Sequence, residues 1–409
     1  MELFFSRLLL VAVVPGLLFQ STPAVDLQTP AAVIPATYFG LHIHHLESQD
    51  PTPWPSIPVP AWRLWDANVT WPDLEPNKGQ WQFAKLDRYV ALAQQHGTEI
   101  LLPLGSCPTW AAATQKAPSI NSPASPQEPP NLDDWRTFVR TVVTRYSGRI
   151  QAYEIWNEPN LRDFWTGTVD QMLALTKEAA LIIHSVDPKA IVVSPSATAD
   201  YGIPWLTEFL KKDGGQYVDV IGYHFYLRPE AMPEDLLSFI KQVRGLLSAN
   251  SRGNKPLWNT ESGWLGAARF DSEETAGGFL ARAYILAWAA GVQRFYWYAW
   301  DNQFMAVITY KESERRVTPA GYAYRDMEQW LTGARMESCM EDADHTWACQ
   351  LNRSGKKAWV VWNPLGVHKF ALPATWHVGN ATPLLHDRRS LRGSSVDIGP
   401  VPTLLTGDS

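Results

Sequence analysis

The chain reads as an α/β protein: a (β/α)8 (TIM) barrel followed by a small antiparallel β domain. Three observations predict this. Eight short apolar segments between Thr37 and Trp300 alternate with helix-period segments, a count and length that suit such a barrel. Acids and histidines recur at the carboxyl ends of those segments. After Gly333 the pattern changes to short alternating strands separated by Gly- and Pro-containing turns. An open doubly wound sheet is the competing topology, but no glycine-rich turn follows its first strand.

The 409 residues, 45% hydrophobic and 19% charged, suffice for one large and one small domain and give no support to disorder. A net charge of −6 gives no basis for a general grip on nucleic acid. Twenty Trp, fourteen Tyr and fifteen Phe supply ring faces that suit the C–H faces of sugars, or a large aromatic core.

Residues 1–24 read as an export signal, and hence as a secreted or periplasmic location. Arg7 precedes the apolar run Leu8–Val14, and Pro15-Gly16 interrupts it, so no stable membrane span is expected. Export permits a disulfide between Cys339 and Cys349, stabilising by roughly 3 kcal/mol in the chain-entropy model. Cys107 is expected as a buried thiol. No spacing suggests structural zinc, and no metal or cofactor is expected.

The barrel, assigned to residues 36–332, runs as follows. Strand one covers Thr37–His44 and strand two Ala61–Trp65, with Trp71–Trp81 as a loop. The helix Leu86–His96 stops at Gly97, and strand three, Glu99–Leu104, opens into a long loop, Gly105–Pro130. A helix Asp133–Tyr146 leads to strand four, Tyr153-Glu-Ile-Trp-Asn-Glu-Pro-Asn160, which Pro159 stops. Then come a helix at Met172–Val186, strand five at Ala190–Ser194, a helix at Pro204–Lys212 and strand six at Val218–Tyr226. A helix at Pro233–Ala249, strand seven at Pro256–Thr260, a helix at Ser272–Ala290, strand eight at Val292–Trp300 and a helix at Tyr322–Leu331 complete it. Residues 333–409 form the β domain, which the lead at 25–35 is positioned to complete.

In a barrel of this kind catalytic groups sit at the carboxyl ends of strands. That rule selects Glu158 on strand four and Glu261 on strand seven. A buried strand-end carboxylate is costly unless chemistry or a partner uses it. Two of them about 5 Å apart suit a retaining cleavage of glycosidic bonds, and about 6.5–9.5 Å an inverting one. The rule also selects His42, His44, Arg63, Asn157, His224, Tyr226, Trp297, Trp300 and Asp301. Arg63 is expected to keep one carboxylate ionised, with Tyr226 donating to the same oxygen.

The segment Glu154-Ile-Trp-Asn-Glu-Pro-Asn-Leu-Arg-Asp-Phe-Trp165 resembles the acid/base segment of clan A glycoside hydrolases, specifically family 39, and the resemblance covers residues 37–301. That family includes β-xylosidases, α-L-iduronidases and bacterial exopolysaccharide hydrolases. The resemblance implies a retaining hydrolase of β-linked glycans. Glu158 would be its acid/base, Glu261 its nucleophile and Asn157 the contact to the sugar 2-hydroxyl. His224 and Tyr226 match the strand-six pair, Arg63 the strand-two arginine, and Trp297 or Trp300 the strand-eight aromatic under the sugar. Many members carry Thr-Glu-Phe where this chain has Thr260-Glu261-Ser262.

The loop aromatics Trp54, Trp71, Trp110, Trp165 and Trp264 are expected to line a groove for a polysaccharide or to wall a pocket for a terminal sugar. The partner is therefore an oligo- or polysaccharide, with no nucleic acid, and the chain is expected to act as a monomer. The alternatives are an inactive glycan-binding barrel, an inverting hydrolase and a transglycosylase. The two hydrolases would differ in the gap between the carboxyl groups.

Overall fold

Eight parallel strands close into a barrel in the computed structural model, which describes residues 25–113, 127–264, 270, 272–302 and 304–407. Residues 1–24, expected from the sequence to be an export signal, and the middle of the 105–130 loop lie outside the described residues. The strands are β1 (Phe39–His42), β2 (Ala61–Arg63), β3 (Glu99–Leu104), β4 (Ala152–Ile155), β5 (Ile191–Val193), β6 (Ile221–His224), β7 (Leu257–Ser262) and β8 (Val292–Trp297).

Each strand pairs with the next, and β8 returns to β1. Closure runs through a divided fifth strand. Residues Ile191–Val193 pair with β4, and the continuation Ala197–Thr198 pairs with β6. Pro195 lies at the break, where a residue without an N–H cannot extend a ladder. The Ser194 hydroxyl bridges the gap by accepting from the Gly222 N–H at 3.0 Å.

Side-chain alternation divides the strands into two sets. One packs outward against the helices in the main core. The other fills the bore with a lower apolar layer: Ala61, Leu101, Ala152, Val193, Val220, Trp258 and Tyr296. Arg63 and Glu154 stand two residues further along β2 and β4, and both are fully buried. Alternation therefore turns a greasy plug into a charged layer within one residue pair.

Four of the surrounding helices are α1 (Ala84–His96), α2 (Leu132–Tyr146), α3 (Val169–Val186) and α4 (Ile203–Lys211). Gly97 ends α1 at φ 66°, Asn131 caps α2 through its side chain, and Thr168 with Gln171 forms a capping box on α3. The remaining three are α5 (Leu236–Ala249), α6 (Glu273–Ala289) and α7 (Pro319–Leu331). Helix α6 is buried from Ala276 to Ala289 because the β domain covers its outer side. A Cβ added at Gly278 would stand 3.2 Å from Pro400 O and Val401 Cα, so a glycine lets the two layers approach. Arg282 of α6 and the Trp362 indole both donate to Glu234, tying barrel to β domain.

The β domain is an antiparallel sheet in which Val25–Asp26 pairs with Arg335–Glu341, itself paired with Trp347–Arg353. Cys339 and Cys349 stand opposite each other in that pair and are joined by a disulfide. Cys107 is buried and free, and burial pushes its thiol up to about 12. Among the described residues no helix is long and apolar enough to cross a membrane.

Three local expectations are corrected. The Trp71–Trp81 loop begins with a short helix, Trp71–Leu74, capped by Thr70 and Asp73 and anchored by the buried Trp71 ring stacked on Phe138. The first strand starts only at Phe39, because Ala36–Tyr38 forms a 3-10 turn. The eighth stops at Trp297, and the Tyr298–Ala299 peptide that follows is cis.

Candidate active site

Arg63, at the end of β2, organises the upper bore. Its Nε donates to Glu154 at 2.6 Å, its Nη1 to Glu261 Oε2 at 2.7 Å and its Nη2 to Asn157 Oδ1 at 2.7 Å. One planar guanidinium thus joins β2, β4 and β7 with charge-assisted bonds. Glu154 is fully buried yet satisfied, since Thr260 donates to it at 2.9 Å and Ser196 adds a shorter bond. A buried carboxylate so compensated is a base plate for the groups above it.

Beyond Glu154 the chain leaves regular geometry. Trp156 adopts φ 64° and Glu158 φ 43°, left-handed conformations that cost about 1–3 kcal/mol each for residues with side chains. The Trp156 ring packs outward against Trp135 and Trp165, and its indole donates to Phe164 O. Asn157 and Glu158 instead join the bore, where Asn157 meets Arg63 and Glu158 meets His224. The backbone is held there by Glu158 N donating to Ser196 O at 3.0 Å.

Glu158 and Glu261 meet across the mouth. His224 Nδ1 lies 2.8 Å from Glu158 Oε1 and 4.0 Å from Glu261 Oε2, and one ligating atom of each residue falls within 4.8 Å of the others. Burial pushes both carboxyls up, each to about 7. Two acids this close share a proton rather than ionise independently. Fixed donors decide where it sits. Glu261 accepts from Arg63 on Oε2 and from the Tyr226 phenol on Oε1 at 3.0 Å, so the charge belongs there. Arg63 and Tyr226 therefore hold opposite oxygens, which corrects the expectation of a shared one. Glu158 has the Thr198 hydroxyl and a neutral imidazole, since burial lowers His224 to about 4. The proton belongs on Glu158.

His42 and His44 lie together on the β1 side, their rings 5.9 Å apart and each against Tyr298. His42 Nδ1, His44 Nε2, Asn157 Nδ2 and His224 Nε2 are buried with no protein partner among the described residues.

The predicted aromatics are elsewhere. Trp297 points outward, its indole donating to Val307 O, and Trp300 is buried against Tyr310. Trp165 packs on Trp156, and Trp264 lies between Phe270 and Phe279. Trp110 donates to Glu75 O beside Trp71, and Trp54 stacks on His96. These rings pack the shell beneath the loops and form no exposed groove, because side chains this large bury against one another. The strand-eight ring in the site is Tyr298, which alternation from the inward Tyr296 could have signalled. Its hydroxyl bonds to Asp66 at 2.5 Å. Asp66, at φ 57° just past β2, is a third carboxylate at the mouth and was also missed. Burial is the main cause raising its pKa, although the residue keeps a solvent-facing edge.

Among the described residues two groups have metal-compatible spacing: Glu158, His224 and Glu261, and His45, Asp301 and Glu312. In the first, Arg63 already bonds Glu261 Oε2 and would repel a cation. In the second, Asp301 already accepts from His44 N, His45 N and the Thr52 hydroxyl.

A family model described as Glycosyl hydrolases family 39 matches residues 65–269, half of the chain. A Beta-xylosidase from Caldicellulosiruptor saccharolyticus is 30% identical over 152 residues, 35% of this chain and 31% of that one. A Beta-xylosidase from Geobacillus stearothermophilus is 29% identical over 161 residues, 32% of this chain and 31% of that one. The aligned part spans about a third of these relatives' length. A family 39 glycoside hydrolase structure from Bacteroides cellulosilyticus WH2 superposes with a TM-score of 0.71 at 17% identity, covering 92% of this chain and 81% of that one. A family 39 β-xylosidase structure from Caulobacter crescentus gives 0.65 at 18%, covering 93% and 98%. These likenesses share the barrel fold. The match of the family model over half the sequence, with the strand-four and strand-seven glutamates inside it, means that the chain belongs to the family 39 glycosyl hydrolases.

Proposed function

We propose that the protein is a retaining glycoside hydrolase of β-linked glycans, with β-xylosides as the first substrates to test. The observation that carries this reading is the Glu158–Glu261 pair, whose oxygens approach within 4.8 Å beside His224. Such closeness favours direct attack by one carboxylate over the wider gap that an inverting enzyme keeps for its water. The two curated relatives named Beta-xylosidase support the choice of sugar.

In this mechanism Glu261, held by Arg63 and Tyr226, attacks the anomeric carbon. Glu158 gives its proton to the departing oxygen as the glycosidic bond breaks. Glu158, now ionised, takes a proton from water, and the resulting hydroxide displaces Glu261 from the glycosyl-enzyme. Product then forms with its original configuration. The test is proton NMR of the first product anomer from an aryl β-xyloside. β-Xylose appearing first is expected, and α-xylose first would overturn the double displacement.

We also propose an extracytoplasmic location, supported by the composition of residues 1–24 and the Cys339–Cys349 bond. A monomeric enzyme is proposed as well, a state named for a Caulobacter crescentus β-xylosidase structure of the same fold. Size-exclusion chromatography with light scattering checks it.

A further inference from the structure

Between the β domain and the end of α7 lies a cavity of about 580 Å³, within the ~300–1,000 Å³ typical of small-ligand sites. Its walls are the last turn of α7 and the strands Trp347–Arg353, Lys356–Trp362 and Thr403–Gly407. The helices of a barrel run back against its strands, so the end of α7 lies below the bore. Two bonds fix it there: Ile34 N donates to Ala334 O at 2.8 Å, and Gly333 N donates to Ile34 O at 2.9 Å. Ile34 precedes the start of β1, whereas the catalytic mouth is at the other end of the strands.

Four cations line this cavity: Arg353, Lys356, Lys357 and Arg388. Antiparallel pairing sets Arg353 opposite Lys356, and Arg388 comes from the turn before the short strand Arg389–Ser390. Arg353 is fixed by donating through Nη2 to Gln329 O, Trp330 O and Thr332 O, carbonyls at the end of α7. Among the described residues no carboxylate lines the cavity, and Lys356, Lys357 and Arg388 form no ion pair. Glu337 on the neighbouring strand is held instead by Gln350 and Asn352, which alternate onto the opposite face from Arg353. In a chain of net charge −6 such a cluster repels itself until an anion occupies it.

Trp330 is the second observation. It is half-buried on the wall of the same cavity and has no aromatic neighbour among the described residues. The β-domain tryptophans differ: Trp347 stacks on Trp362, and Trp359 on Trp376. A ring face left open beside unpaired cations suits a ligand with both C–H faces and negative charge.

We propose that this cavity binds a polysaccharide carrying uronate carboxylates. Lys356, Lys357 and Arg388 meet the carboxylates, and Trp330 lies against a sugar ring. Neutral rings and hydroxyls separate the charges along such a chain, which matches a site that sets the Thr406 hydroxyl and an indole among its cations. Nucleic acid carries a denser charge, which the net −6 of this chain opposes. A concave site also does not fit the flat face of a bilayer. Binding below the bore retains the protein on its polymer and leaves the mouth free, so the site is additional to the glycosidase reading and is tested apart from turnover.

The experiment is affinity electrophoresis in gels cast with glucuronoxylan or polygalacturonate, each mobility taken relative to a polymer-free gel. Wild type should be retarded by at least one polymer, and less so as salt is raised. Reducing the carboxylates of that polymer to alcohols should weaken binding about tenfold, as should the combined change Lys356→Gln, Lys357→Gln and Arg388→Gln. These three side chains are exposed, so the triple variant should keep its circular dichroism and its kcat/KM on an aryl β-xyloside. Trp330→Ala should weaken binding as well. No retardation of wild type, equal binding of the reduced polymer, or unchanged binding in either variant would overturn the site. Single-stranded DNA or phosphatidylglycerol vesicles binding more tightly than both polymers, and losing that binding in the triple variant, would overturn the polysaccharide as its ligand.

Discussion

The two ends of the barrel bore are built from the same strands and differ in almost everything else. At the lower end Ala61, Leu101, Ala152 and Val193 fill the space with apolar groups in regular strand geometry. At the upper end the same β2 and β4 supply Arg63 and Glu154, and the backbone past β4 is forced left-handed at Trp156 and Glu158. The lower layer stabilises by burial. The upper layer holds charges whose burial opposes folding unless each finds its partner. Such a cost is tolerated where chemistry needs the groups.

If that contrast is right, changes at the upper end should abolish turnover before stability. Glu261→Ala should lower kcat roughly 10⁵-fold on an aryl β-xyloside. Circular dichroism should remain native, and azide should restore part of the rate as the α-glycosyl azide. Glu158→Ala should cost roughly 10²–10⁴-fold on a poor leaving group and far less on dinitrophenyl glycosides. Equal loss on both would break the acid assignment.

The pH profile sharpens the same contrast. Glu158 must carry its proton, and burial raises it to about 7, so kcat/KM should fall as pH rises through that value. Glu158→Ala should lose this alkaline limb on activated substrates. The raised carboxyls also bind protons in the folded state that the unfolded chain has released. Stability should therefore be fullest below the ordinary carboxylate range and decline as pH climbs from there to about 7. Urea melts across that window check the sign.

At the lower end the order reverses. Leu101→Ala should cost about 2–5 kcal/mol of stability while leaving KM near wild type at low temperature. Trp297→Phe should show the smallest effect. It removes one buried bond to Val307 O, about 1 kcal/mol by thermal melt, and leaves KM unchanged because the ring faces the helices.

The same contrast explains what could be read from the amino-acid sequence. The alternation of apolar segments and helices pointed to the barrel because each strand is short, buried and followed by a periodic helix. Glu158, Glu261, Arg63 and His224 were legible because strand ends mark a site in this architecture. Glu154 was passed over, although it stands two positions from the inward Ala152 and so faces the bore. Tyr298 was likewise passed over, although it stands two positions from the inward Tyr296, whereas Asp66 was hidden by a left-handed turn that local pattern does not carry. The loop tryptophans misled because composition cannot tell a ring that faces a groove from one packed on its neighbours. The divided fifth strand was invisible until its two halves were seen pairing with different partners.

The central claim is that Glu261 attacks the sugar while Glu158 protonates the leaving group. Labelling with a 2-deoxy-2-fluoro-β-xylosyl fluoride, followed by peptide mass mapping, tests it most directly. A fluoroxylosyl ester on the peptide containing Glu261, absent in Glu261→Ala, is the predicted result. An adduct on the Glu158 peptide, or turnover with inversion and no adduct at all, would contradict the account.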